Sequence, residues 1–426
     1  MKLRRALTFA AIVALVSGCG TAAPIPGFPG GSPGTTGGGP ASPVAPGGIA
    51  AASPSPVAPT PSLSGGPAAT SQTRPVPSGG FVRPSPAPSV APTKRPVPPP
   101  VEGILVDYIY TSDLITPIAH LYGSALDDFA IVTVTNTNDV PAKVVVESEI
   151  VDYTTTATDT VTIDPGASTE VRQNPTLKPE AIDRLNSQRP ADFHLHVVLL
   201  QEGQEREILD QTAPTLVWAR RDFPGSIEGM TAQEVLDLLA VMVTPHDPDV
   251  EALIRKAADY DPSGIMKNGY GGHLDDAEGW VWDRMAAVWE AEDRDYDLTY
   301  ISTYVTFAPG AVQRMRLPSE VLEQHSGNCI ELAVLYAAVA EALGMEAAIV
   351  LIPGHAYVAI RTDLENANYY FIESTLIGRA TFSEAVNAGA QEFDEAKPHL
   401  DAGDDGWNWV TIATAREKGI LPIPWR

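Results

Sequence analysis

The sequence predicts an α+β protein: an antiparallel β-sandwich ahead of a mixed helix–sheet domain, both behind a disordered Pro/Gly/Ser-rich tether. Three observations carry this. Most of the 39 prolines fall before residue 101. Alternating apolar runs separated by turn residues fill the next stretch, and from about Ile227 helical periodicity interleaves with short apolar strands. A chain of 426 residues has room for more than one domain. Its formal net charge of -25 argues against nucleic acid and anionic lipid surfaces as partners.

The chain opens with Lys2, Arg4 and Arg5, followed by an apolar run from Ala6 to Val16. Residues 1–18 therefore read as a signal peptide, too short for a spanning helix. The run ends in Val16-Ser17-Gly18-Cys19, which resembles the lipobox preceding a bacterial lipidated cysteine, with Cys19 as the lipid acceptor. That implies a protein anchored to the membrane through its N-terminal lipid only, on the extracytoplasmic face. Residues 19–100 hold Pro, Gly, Ser, Ala and Thr with almost no apolar bulk, so they cannot bury enough surface to offset ordering entropy. Proline density stiffens this tether towards polyproline II, and at ~3.1 Å per residue it reaches at most roughly 250 Å. The other cysteine is Cys329, so no disulfide framework is available.

Residues 101–225 read as the β-sandwich. Phe129-Ala-Ile-Val-Thr-Val-Thr135 and Phe193-His-Leu-His-Val-Val-Leu199 have strand patterns, and turn signals at 136–139, 164–166 and 202–203 punctuate the region. His194 and His196 share one face of their strand; with no carboxylate cluster beside them in sequence, they read as a polar strand face rather than a metal pair.

The second domain spans residues 226–426. Thr231-Ala-Gln-Glu234 predicts a capping box opening a helix, and further helices are expected near 250–258 and 280–291. Asp293-Arg-Asp295-Tyr-Asp297 begins like a calcium loop but has Leu298 and Tyr304 where glycine and a bidentate acid are needed, so no metal is expected there. Then Gly327-Asn328-Cys329 leads into an apolar helix closed by Gly344. Cys329 falls in its first turn, where the helix dipole and free backbone N–H groups favour thiolate and can meet an oxyanion. Ala347–Ile352, His355–Ile360 and Tyr369–Glu373 follow as strands, with Pro353-Gly354 as a turn. A hairpin can bring His355 beside Glu373, with both facing the helix start. Thiolate, imidazole and orienting carboxylate form the minimal set for acyl transfer.

Gln313-Arg-Met-Arg-Leu-Pro-Ser-Glu-Val-Leu322, Gly327-Asn-Cys329, Pro353-Gly-His-Ala-Tyr357 and Phe371-Ile-Glu-Ser-Thr375 resemble the transglutaminase-like superfamily, in its bacterial exported branch. The resemblance runs over about residues 230–426, with its tight motifs in 300–380, and implies a papain-like core. It implies Cys329 as nucleophile, His355 as general base and acid, and Glu373 as orienting carboxylate where the superfamily most often has Asp. Gln313 is either an oxyanion donor or a plain polar loop residue. No cofactor is implied. The expected reaction is thioester-mediated acyl transfer from a peptide or isopeptide amide of a surface peptide or protein, hydrolysis ahead of cross-linking. The alternative is a catalytically degenerate surface-binding module.

Overall fold

Alternation of buried and open positions builds the first strands. The computed structural model describes residues 99–424 except 267–268, 271–276, 304, 364 and 366–367. The signal peptide, the tether and Cys19 lie outside the described residues. Eight strands come first: β1 (Ile104–Tyr110), β2 (Asp113–Leu114), β3 (Ala130–Asn136), β4 (Ala142–Ile150), β5 (Ala157–Ile163), β6 (Ser168–Gln173), β7 (Arg189–Gln201) and β8 (Gln204–Val217). Along β3 and β4 every second side chain is buried, so each strand turns one face inward. One sheet has the order β1-β3-β6 and is antiparallel. The other has the order β2-β8-β7-β4-β5, antiparallel except for the β2–β8 pair. Val106, Val132 and Val171 of the first meet Val144, Val146, Phe193 and Val197 of the second in one hydrophobic core. A four-residue helix, α1 (Pro179–Ile182), adds Ile182 to it.

A short strand, β9 (Asp222–Pro224), leads into the helical half. There follow α2 (Ala232–Asp237), α3 (Pro248–Ala257), α4 (Ala277–Arg294), β10 (Thr299–Tyr300), β11 (Val312–Arg314), α5 (Pro318–Glu323) and β12 (Ser326–Gly327). The expected capping box is present at α2, where Thr231 Oγ1 accepts from the Glu234 N–H and the Glu234 carboxylate reaches back to the Thr231 N–H. Next come α6 (Cys329–Ala342), β13 (Ala347–Ile352), β14 (His355–Arg361), β15 (Tyr369–Ile372), α7 (Phe382–Ala402), β16 (Asn408–Thr411) and α8 (Ile412–Glu417). The fold is α+β.

The sheet β15-β14-β13-β16 is antiparallel throughout. β13 and β14 read as continuous apolar runs because both faces of the sheet are covered. Ile349, Leu351, Ala356, Val358 and Ile360 turn towards the core that holds α6. Ala348, Val350, Tyr357, Ala359 and Phe371 turn the other way, onto Phe393 and Leu400 of α7 and onto Trp409. α6 is buried on all sides through Ala340, which explains a sequence with no polar face. One interior residue stands out: the Glu292 carboxyl of α4 is fully buried, and no well-formed hydrogen bond reaches either oxygen. Burial pushes it up to about 8, against a smaller opposing effect of its neighbour Tyr336 on α6.

All described residues fall within one compact unit, Ser89–Arg426. Ile115, Ile118, Leu121 and Phe223, from the strand-rich half and its exit, are buried in the same core as α6. β9 also pairs with β11, and Glu320 at the start of α5 accepts from both Arg220 and Arg221.

Candidate active site

The start of α6 is held from several directions. Asn328 is the N-cap: its Oδ1 accepts from the Glu331 N–H at 3.0 Å, and its Nδ2 donates to Thr303 Oγ1 at 2.8 Å. Glu331 completes the capping box by accepting from the Asn328 N–H at 3.0 Å. Its carboxylate is gripped by Arg316, with Nη2 at 2.6 Å, Nε at 3.0 Å and the backbone N–H at 2.9 Å. Cys329 is the first helical residue, 2% exposed. By helix geometry the N–H groups of Cys329 and Ile330 have no intrahelical acceptor, so they are available to a negative charge.

The β13–β14 turn delivers the imidazole. Ile352 pairs with His355 across Pro353-Gly354, and Gly354 adopts φ +80°, a conformation that suits glycine. β15 ends opposite Val358, so Glu373 emerges beside the first turn of β14. His355 Nε2 lies 2.7 Å from Glu373 Oε2. The Cys329 side chain adjoins the same imidazole and favours its charged form. With Nε2 committed to the carboxylate, Nδ1 is the nitrogen left for the thiol. Burial opposes the charged imidazolium. The neighbouring Cys329, Glu373 and Glu392 side chains, with the Glu373 hydrogen bond and charge, outweigh it and push His355 up to about 12.

Glu373 is buried, and its other oxygen accepts from the Thr375 N–H at 3.0 Å and from Thr375 Oγ1. Burial alone would raise its carboxyl. The His355 hydrogen bond and charge, together with Thr375, hold it below its ordinary value instead. The structure thus brings Cys329, His355 and Glu373 together.

It also brings in a residue the sequence reading did not select. Glu392 of α7 places Oε2 3.5 Å from His355 Nε2. The signal was a stripe on α7, Ala385, Gly389, Glu392 and Ala396, at helical spacing with one acid among small residues. The ligand atoms of His355, Glu373 and Glu392 lie within 4.8 Å of one another, the one such potential metal-holding group among the described residues. His355 and Glu373 within it already share a direct hydrogen bond.

Gln313 lies elsewhere in its bonding. It is buried on β11, its Oε1 accepts from the Thr306 N–H at 2.8 Å, and its Nε2 donates to the Arg314 carbonyl at 2.9 Å. The amide thus fastens the loop between β10 and β11. His194 and His196 lie on one partly exposed face of β7, as expected, and acids from across the sheet face them: Asp210 lies 2.8 Å from His194 Nε2, and Glu147 lies 3.2 Å from His196 Nδ1. Neighbouring strands supply these acids, 16 and 49 residues away in sequence, so local inspection missed them.

Residues 314–398 match the family model described as the transglutaminase-like superfamily. No curated protein matches the chain. Among solved structures, a FixG-related protein from Vibrio parahaemolyticus matches at 13% identity and a TM-score of 0.18, covering 28% of this chain and 99% of that one. At that score the likeness carries no fold assignment. The family match runs from the strand before α5 to the latter part of α7, and so contains Cys329, His355, Glu373 and Glu392. This segment of the chain belongs to the transglutaminase-like superfamily.

Proposed function

We propose that this protein is a surface-tethered cysteine acyl-transfer enzyme that opens an amide bond, peptide or isopeptide, through a thioester at Cys329. The observation that carries this reading is the position of His355, beside the Cys329 side chain and 2.7 Å from Glu373 Oε2. The family match supports it, since the superfamily generally comprises cysteine-dependent enzymes. With His355 already holding the proton as imidazolium, the Cys329 sulfur attacks the amide carbonyl carbon as thiolate. The tetrahedral oxyanion meets backbone N–H groups at the start of α6. Collapse breaks the C–N bond while imidazolium protonates the departing amine, leaving the acyl group on sulfur. Water, giving a proton to the now neutral His355, then attacks the thioester, and the carboxylic acid leaves as the sulfur and imidazolium are restored. A lysine amine in place of water gives cross-linking; hydrolysis is preferred because water is abundant at a cell surface. Glu373 holds the ring and stabilises imidazolium without taking the proton.

In this proposal Cys19 carries the lipid anchor, residues 19–100 space the protein from the membrane, residues 101–225 form a β-sandwich domain, and residues 226–426 act on a surface peptide or protein. The test is labelling with a thiol-reactive acyl probe followed by peptide mass spectrometry. An adduct at Cys329, absent in Cys329→Ala and strongly reduced in His355→Ala, is expected. Labelling no faster than that of a free cysteine would instead favour a degenerate binding module.

A further inference from the structure

Glu392 has no part in the three-residue scheme, yet its place is built rather than incidental. α7 lies so close to β15 that a Cβ on Gly389 would stand 2.4 Å from the Phe371 carbonyl oxygen. The Ala385 carbonyl accepts from the Glu373 N–H at 3.1 Å, tying the same helix face to the residue that orients His355. Glu392 follows Gly389 by three residues and therefore sits on this close-packed face. Its Oε2 is shielded from solvent with no well-formed hydrogen bond, 3.5 Å from His355 Nε2. A carboxylate oxygen out of water without a close donor is a costly arrangement. An adjacent imidazolium relieves that cost.

We propose that Glu392 is a positioning residue for His355, a second carboxylate that shares Nε2 with Glu373 and holds the imidazole in its protonated, Cys329-facing state. This deepens the acyl-transfer reading and rests on it for its use in turnover. Glu373 and Glu392 approach Nε2 from different elements, one from the end of β15 and the other from α7. The ring is therefore fixed against swinging about its Cα–Cβ bond as well as polarised. The groups facing His355 are Cys329 from α6, Glu373 after β15, Glu392 from α7 and Tyr357 on its own strand. Burial, together with the Glu373 charge, raises the Glu392 carboxyl, with the nearby His355 opposing it. In its protonated form it can donate to Glu373, so the two acids act as a pair over one imidazole.

The experiment follows His355 itself. Imidazole resonances of His355 are titrated in the full chain, in Glu392→Gln, Glu392→Asp and Glu373→Gln, alongside the pH profile of Cys329 alkylation by iodoacetamide. Thermal melts confirm that each variant is folded. In Glu392→Gln, His355 is expected to lose its proton at lower pH, by about one unit or tenfold in the equilibrium. Its alkylation profile should move as well, and Glu392→Asp should recover part of both changes. A His355 titration in folded Glu392→Gln that overlays the full chain, while Glu373→Gln shifts it, would overturn the proposal. A moved titration without acyl-probe turnover at Cys329 would keep Glu392 as a positioning residue and remove the enzymatic reading instead.

Discussion

Glu373 is one methylene longer than the aspartate usual in the superfamily, and the turn after β15 makes use of that length. One carboxylate oxygen reaches His355 at 2.7 Å while the other is held by Thr375 N–H and Oγ1. The added reach is therefore braced at both ends. Replacing Glu373 with Gln keeps the shape but removes the charge facing imidazolium. Loss of the corresponding acid in a Ser-His-Asp triad costs about 10⁴ in turnover. Glu373→Gln is expected to fall by less than that, because Glu392 remains as a second acid beside Nε2, while Cys329→Ala abolishes turnover. Single-turnover acylation rates decide the point: a Gln variant matching wild type would make Glu373 a bystander.

At the scale of elements, the start of α6 depends on one buried ion pair. Arg316 and Glu331 have side chains 11% and 5% exposed, and their contact is bidentate. Removing one partner strands a charge in a site that excludes water, which costs about 3–5 kcal/mol. Arg316→Ala is therefore expected to lower stability by about that much in a urea melt and to slow Cys329 alkylation, although Arg316 touches neither His355 nor Glu373. A variant with lowered stability but an unchanged alkylation rate would separate the clamp from the nucleophile. This part of the protein was legible in the sequence. α6 and β13 to β15 lie within a residue or so of the expected spans, because an unbroken apolar pattern and strong punctuation at Asn328, Gly344 and Pro353-Gly354 mark them. α7 was not legible as part of the site. Its strand-facing stripe is made of small residues interrupted by many charges, and what Glu392 faces is decided by a contact with β15. The acids that face the histidine pair on β7 were not legible for the same reason, since cross-strand neighbours follow from register rather than spacing. Gln313 was legible as polar and special, but whether its amide would meet a substrate or the backbone depends on the loop it fastens.

For the whole molecule, the strand-rich half and the helical half share buried residues, and the segment between them is pinned by Glu320 to Arg220 and Arg221. A chain beginning at Val101 is expected to unfold in one cooperative transition at the midpoint of the mature protein, and to lose membrane partitioning with Cys19. A lowered midpoint would mean that residues 19–100 pack on the rest. Glu292 has its own pH signature. Below about 4.5 its carboxyl is protonated in both states. Between about 4.5 and about 8 the unfolded chain releases the proton while the folded core retains it, so stability falls as pH rises. Above that window both states are ionised and the penalty is constant. Glu292→Gln is expected to abolish this slope, read as urea midpoints against pH for the two proteins; parallel curves would show that the interior tolerates the charge. Deprotonation thus harms the core beside the middle of α6, where Tyr336 lies. A rise in alkalinity loosens the frame that aims the Cys329 sulfur. For a protein proposed to work outside the buffered cytoplasm, that dependence narrows the surroundings in which it keeps its full stability, through a single interior acid.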